Sequence, residues 1–194
     1  MEEVKKEHPK DVVELWGFDE HRLGLKPILR RVWALKGKRL KVPVHHRYQW
    51  LYLCAFVHPE SGRSHWLILP RVDVEVFNLA LVDFAKSVGA GRGKQVMVVM
   101  DRAGWHMSHE VVEPDGVHLI PLPPYSPELQ PAERLWRLTN EAVANKRFEN
   151  LDELEEAQTY RCLVLKSKPE LIRSHTLFHW WPRTSQEWTV INRI

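Results

Sequence analysis

Runs of apolar residues predict five β-strands along the chain. The run at residues 95–100 is almost continuous Val and Met, as expected for a strand that is covered on both faces. Two earlier runs are separated by the turn sequence HPESG and therefore predict a hairpin. The five predicted strands are residues 12–18, 48–57, 64–69, 95–100 and 117–122.

A second pattern predicts helices. From Asp73 onward, apolar residues recur at intervals of three and four until Gly89, which indicates an amphipathic helix. Pro131 is a favourable first residue of a later helix, because its missing N–H would be unpaired there anyway. The predicted helices are residues 73–88, 108–112, 131–143, 151–165 and 170–175. Strands followed by strand–helix alternation predict an α/β fold with a mixed five-stranded sheet flanked by helices.

The length and composition indicate one soluble domain. A chain of 194 residues with 44% hydrophobic residues can form one sizeable core. Residues 1–10 are charged throughout and predict a solvated tail or linker, so we expect the domain to occupy residues 11–194. Cys54 and Cys162 lie in apolar or helical runs, which predicts buried reduced thiols. No signal peptide or membrane-length apolar run is present, so the sequence predicts a cytosolic protein without a membrane partner.

The basic residues are concentrated in one segment. Residues 26–47 contain eight Lys or Arg and no acid, although the formal charge of the whole chain is only +3. The segment is either a solvated loop or a segment that follows a nucleic-acid backbone, with an aromatic ring that stacks on bases. Its candidate DNA-binding residues are Lys26, Arg30, Arg31, Trp33, Lys36, Lys38, Arg39, Lys41 and Arg47.

Three carboxylates occupy positions that suit a divalent cation. Asp101 follows the fourth predicted strand, Glu133 lies in the first turn of a predicted helix, and Asp19 follows the first predicted strand. Mg²⁺ prefers such hard oxygen ligands and needs few of them beside a substrate phosphate. Each acid also has a structural explanation: a turn residue at Asp101, an ion pair with Arg137 at Glu133, or a sheet-edge residue at Asp19. Glu20 is equally eligible as a ligand.

His106 lies five residues after Asp101. It is predicted to hydrogen-bond a phosphate or a carboxylate beside the cations, or else to be a structural histidine. A zinc site formed with His109 and His118 is disfavoured, because their spacing fits no common zinc pattern.

Two sequence blocks carry a resemblance to a known family. MVVMDRAGWH followed by LPPYSPELQPAERLW closely resembles the second and third acidic blocks of the mariner-type DDE transposases, in their bacterial insertion-sequence branch. GFDEHRLGL and the later RRVWALKG resemble the first block. The resemblance extends from about Val13 to about Leu154. Arg102 stands where the family usually has Asn.

The resemblance implies an RNase H-like fold and a DNA-cleaving site. It implies that Asp19, Asp101 and Glu133 are catalytic residues that bind two Mg²⁺ or Mn²⁺ ions when DNA is bound. His106, Glu20 and Arg102 would then lie beside the ligands or contact a phosphate. The implied activity is metal-dependent strand cleavage at element ends, followed by strand transfer to target DNA.

The resemblance also implies partners. Element-end and target DNA would be bound by a homodimer in the bacterial cytosol or nucleoid. Too few residues precede Asp19 for an N-terminal helix-turn-helix region, so we expect end recognition to lie on a separate or frameshift-joined helix-turn-helix polypeptide. Two other functions fit the residues: an inactive or domesticated DNA-binding remnant, and an RNase H-like host nuclease. Metal titration tests the first, and comparing cleavage of hybrid and duplex substrates tests the second.

Overall fold

A mixed five-stranded sheet with helices on both faces forms the core of the protein. The computed structural model describes residues 1–38, 41 and 47–182. The strands are β1 Val12–Gly24, β2 Trp50–His58, β3 Arg63–Leu69, β4 Lys94–Met100 and β5 Val117–Pro121. The helices are α1 Glu2–Glu7, α2 Val74–Val88, α3 Glu133–Thr139, α4 Leu151–Lys166 and α5 Pro169–Thr176. The predicted α/β architecture is confirmed.

The strand order is β3-β2-β1-β4-β5. Strands β1, β2 and β3 form an antiparallel meander, whereas β4 and β5 run parallel to β1. Helix α2 connects the two parts of the sheet. Its first turn is capped by the Asp73 side chain, which accepts a hydrogen bond from the Val76 N–H, and it ends at Gly89, whose φ of 69° is left-handed.

The two faces of the sheet pack against different helices. Trp16 and Phe18 of β1 pack with Phe84 and other residues of α2 on one face. Ala55 and Val57 of β2 pack against α3 and α5 on the other face. Because side chains alternate along a strand, the adjacent Asp19 and Glu20 are presented to opposite faces. Cys54 and Cys162 are free and buried, as predicted.

Several boundaries differ from the predictions. β1 does not end before Asp19 but continues to Gly24, because residues 17–24 pair with β2. The helix predicted at residues 108–112 is wrong, since this segment forms turns in which the Val112 N–H donates to the Asn78 side chain. Helix α3 begins at Glu133 rather than Pro131, and a 3₁₀ turn, Asn140–Ala142, follows it.

The first ten residues are not wholly a solvated tail. They contain helix α1, whose Val4 packs with Met1 against the cluster formed by Val13, Leu15 and Trp181. Burial of these apolar side chains explains why a charged segment lies against the domain. No helix in the described ranges is both long and apolar enough to cross a membrane.

Candidate active site

The three predicted acids line one cleft. Asp19, Asp101 and Glu133 border a cleft of about 450 Å³, together with Arg102, Gln130 and the proline-rich loop at residues 123–127. Asp19 and Asp101 meet because β1 and β4 are adjacent and parallel. Gly17 pairs with Val99, and both acids lie two residues further along their strands.

Glu133 reaches this cleft because the start of α3 is held against β1. The buried Gln130 side chain donates a hydrogen bond of 2.7 Å to the Phe18 carbonyl. Gly17 provides the necessary space, since a Cβ there would lie 2.5 Å from the Pro131 Cγ atom. Neither contact was predicted from the sequence. A Gly within an apolar strand was the signal available, because it often marks a close approach of another chain segment.

Asp19 is the most perturbed of the three acids. Its burial raises its pKa to about 7, and the carboxylates of Glu20 and Glu133 add to the increase. The Trp136 indole opposes the shift by donating a hydrogen bond of 2.8 Å to the Asp19 Oδ2 atom. Burial also raises the pKa of Glu133, with a further contribution from Asp101. A bound cation would offset this cost of placing several negative charges together.

Asp101 is held in one orientation while half of its side chain stays exposed. Its Oδ1 atom accepts hydrogen bonds from the His106 Nδ1 atom at 2.7 Å and from the Ala103 N–H at 3.0 Å. The contact with His106 lowers the pKa of Asp101. Within the described part of the chain no hydrogen bond occupies the Oδ2 atom, and 57% of the side chain is exposed. The second oxygen is therefore available to a ligand in the cleft.

His106 bridges two carboxylates beneath the cleft. Its Nε2 atom lies 2.8 Å from the Glu20 Oε1 atom, which also accepts a hydrogen bond from the Trp105 indole. Burial lowers the pKa of His106, but hydrogen bonds and charge interactions with Asp101 and Glu20 outweigh it and raise the pKa to about 9.

Glu20, Asp101 and His106 also form a compact group, with one ligand atom of each within 4.8 Å of the others. A histidine binds a metal ion through a neutral imidazole. In His106 both ring nitrogens contact carboxylates, and these contacts raise its pKa. The group is therefore better described as an ionic bridge. Asp19, Asp101 and Glu133 present carboxylate oxygens to the cleft, which is the type of ligand that Mg²⁺ prefers.

The described members of the basic segment do not line the acid cleft. Arg30 donates to the Arg137 carbonyl of α3, and Arg47 donates to the Glu149 carbonyl just before α4. The Trp33 side chain is fully exposed. Lys26, Arg31, Lys36, Lys38 and Lys41 are exposed as well, whereas Arg39 lies outside the described residues.

Asn145 joins this segment to the domain, which the sequence analysis missed. Its side chain accepts a hydrogen bond from the Arg30 N–H and donates one to the Arg30 carbonyl, at 2.9 and 3.1 Å. Its backbone N–H donates to the Ile28 carbonyl. Asn145 has a left-handed backbone with φ of 58°, a conformation that Asn tolerates better than most residues.

The sheet order, with one acid on β1, one just after β4 and one at the start of α3, is that of an RNase H-like fold. The chain belongs to the family described as DDE superfamily endonuclease, whose profile matches residues 14–155. The predicted membership of the DDE superfamily, the fold and the presence of a DDE-type catalytic domain are therefore confirmed.

Relatives and solved structures agree with this assignment. An uncharacterized protein of Sinorhizobium fredii, y4pE/y4sA, is 32% identical over 139 residues, which are 70% of this chain and 99% of that protein. The Mos1 mariner paired-end complex with Mn has a TM-score of 0.57 and 16% identity, covering 85% of this chain and 56% of that chain. The Mos1 strand transfer complex has a TM-score of 0.54 and 17% identity, covering 91% and 59%. The chain thus spans less than two thirds of these Mos1 chains.

Proposed function

We propose that this chain is the catalytic domain of a DDE-type transposase, with Asp19, Asp101 and Glu133 as its metal-binding catalytic residues. The observation that carries the proposal is the convergence of these three carboxylates, from β1, β4 and α3, on one cleft. The use of divalent metal is supported by the chain's membership of the DDE endonucleases and by the Mos1 structures with Mn and Mg. The domain range expected from the sequence, residues 11–194, stays a prediction, and helix α1 packs against this domain.

The reaction would proceed in two phosphoryl-transfer steps. A water oxygen would attack the phosphorus at an element end and release a 3′-hydroxyl group, which would then attack a phosphodiester of target DNA. Two Mg²⁺ or Mn²⁺ ions would activate the attacking oxygen and neutralise the leaving one. Asp19 would give up its proton to bind them, and Glu133, in the first turn of α3, would act near the positive end of the helix dipole. His106 would keep Asp101 oriented.

The solved Mos1 structures include a paired-end complex with the left transposon end and a strand transfer complex. This supports element ends and target DNA as the partners here, bound by a homodimer. The exposed basic residues and Trp33 would contact DNA away from the scissile bond. Recognition of element ends by a separate helix-turn-helix polypeptide stays a prediction, as does action in the bacterial cytosol or nucleoid.

Metal-dependent nicking of supercoiled plasmid tests the proposal. We expect Mn²⁺ or Mg²⁺ to support nicking by the wild-type chain and EDTA to stop it. Asp101→Asn and Glu133→Gln should each lower the rate by more than about 100-fold, since even an outer-shell partner is worth about 10–100-fold. Glu128→Gln is the matched control, because Glu128 is exposed in the 3₁₀ turn before α3 and does not border the cleft.

Two outcomes would overturn it. Full metal-dependent nicking by either acid variant would remove that residue from the site. A wild-type chain whose thermal stability and DNA nicking do not respond to Mn²⁺ would instead be a remnant that binds DNA without cleaving it.

A further inference from the structure

Tyr125 occupies an unusual place on the wall of the cleft. Its side chain is fully exposed, with a relative accessibility of 101%, although it borders the same cleft as the three acids. Its backbone has φ of 57°, in the left-handed region that an aromatic residue rarely adopts. A large exposed ring on a strained backbone has no packing role in the free protein.

The surrounding loop restricts the backbone at Tyr125. Pro123, Pro124 and Pro127 restrict the backbone on both sides of Tyr125, and the Ser126 hydroxyl donates a hydrogen bond to the Pro124 carbonyl. Strained backbone conformations persist where surrounding structure enforces them, and they cluster at ligand-binding sites. The prolines therefore leave the loop backbone few alternative conformations, and this backbone places the Tyr125 ring exposed on the wall of the cleft.

Arg102 supplies a positive charge on the same cleft. Its Nε atom donates a hydrogen bond of 2.8 Å to the carbonyl of Leu122, the residue just before the prolines. No hydrogen bond or ion pair engages its two Nη groups within the described ranges. The guanidinium is thus oriented at one atom and retains donors for a ligand. Arg102 directly follows Asp101 in the chain and lines the same cleft.

We propose that Tyr125 and Arg102 form a binding subsite for one unpaired nucleotide next to the scissile phosphate, in which the Tyr125 ring stacks on the base and Arg102 binds its phosphate. This inference rests on the proposed function. A base inside a duplex has both faces covered by its neighbours, so stacking on Tyr125 requires a base that is unpaired or extruded. Stacking is tolerant of base identity, and the subsite therefore selects DNA structure rather than sequence.

Photochemical crosslinking with the whole chain tests the stacking. The probe is a duplex oligonucleotide with a short 3′ overhang that carries 5-iodouracil at its first unpaired position, bound in the presence of Ca²⁺. We expect a crosslink that maps to Tyr125 in the wild type and to the same position in Tyr125→Phe. A flush duplex with paired 5-iodouracil should give none. A crosslink of equal yield from the flush duplex, or one that maps to other residues only, would overturn the subsite.

Binding affinities separate a stacking role from a structural one. Tyr125→Leu and Tyr125→Gly should bind the overhang probe about tenfold more weakly, with the flush duplex unchanged. Because Gly adopts positive φ without strain, Tyr125→Gly should keep the wild-type melting temperature. Wild-type affinity of both variants for the overhang would refute the proposal.

The salt dependence of binding tests Arg102. Arg102→Gln should reduce the slope of log affinity against log salt by about 0.7 for the single-stranded overhang, as expected for the loss of one phosphate contact. Tyr125→Leu should leave that slope unchanged, because stacking releases no counterion. An unchanged slope in Arg102→Gln would remove Arg102 from the subsite.

The two proposals fail in different ways. If no crosslink forms at Tyr125 but nicking still depends on Asp101, the subsite alone is overturned. Nicking that survives Asp101→Asn would overturn the catalytic assignment, whereas the overhang crosslink would still report nucleotide binding by Tyr125.

Discussion

Asp19→Asn should make the metal-free protein more stable, and increasingly so as the pH rises. Asp19 is buried in β1, and its pKa is raised from an ordinary value of 3.8 to about 7. A group whose pKa is raised on folding contributes stability below its unfolded pKa, and this contribution is lost as the pH rises through its folded pKa. Asparagine has no ionisation to oppose folding. Its carbonyl oxygen can also accept the hydrogen bond that the Trp136 indole donates to Asp19.

The magnitude follows from the shift. A pKa difference of about 3 units costs the ionised wild type about 4 kcal/mol at about pH 8, but only about 2 kcal/mol at about pH 5. The difference in unfolding free energy between Asp19→Asn and the wild type should therefore grow by about 2–3 kcal/mol between these two pH values.

Urea denaturation in EDTA at the two pH values measures this difference. Asp152→Asn is the matched control, because it makes the same chemical change at an exposed position on helix α4, away from the cleft. Added Mn²⁺ should reverse the order, stabilising the wild type more than Asp19→Asn, since the cation needs the carboxylate. A difference that stays the same from about pH 5 to about pH 8 would refute the argument that Asp19 is destabilised by burial.

Three further predictions concern contacts that support the cleft and the basic segment. Gly17→Ala should lower the nicking rate by roughly 10–100-fold, because the added Cβ would displace Pro131 and thereby Glu133. Gly104→Ala is the control and should not change this rate, because its Cβ meets nothing within 4 Å. His106→Gln should cost about 1–3 kcal/mol of unfolding free energy near neutral pH. Because the pKa of His106 is raised to about 9, urea titrations should show this cost declining as the pH rises through that value. Asn145→Gly keeps the left-handed backbone but loses the side-chain hydrogen bonds to the basic segment. Limited proteolysis of this segment should therefore become faster and DNA binding weaker, and an unchanged rate of proteolysis would contradict this.

Local patterns in the sequence were sufficient for the secondary structure of the sheet and for the candidate acids. Apolar runs identify strands because burial depends on hydrophobicity at each position, and the helix at residues 73–88 was predicted from its periodicity and its terminal Gly89. The helix predicted at residues 108–112 failed because Asn78, on a distant element, binds the backbone in turns instead.

The assembly of the site was decided only by the tertiary structure. Alternation separates Asp19 from Glu20, but which face receives α3 depends on packing between residues far apart in the chain. Gly17 allows Pro131 to approach β1, and His106 joins Asp101 to Glu20 across the sheet. These contacts arise from strand register and close packing, which no local pattern encodes. The residue types that can bind a cation are therefore readable in the sequence, whereas their convergence on one cleft is a property of the folded chain.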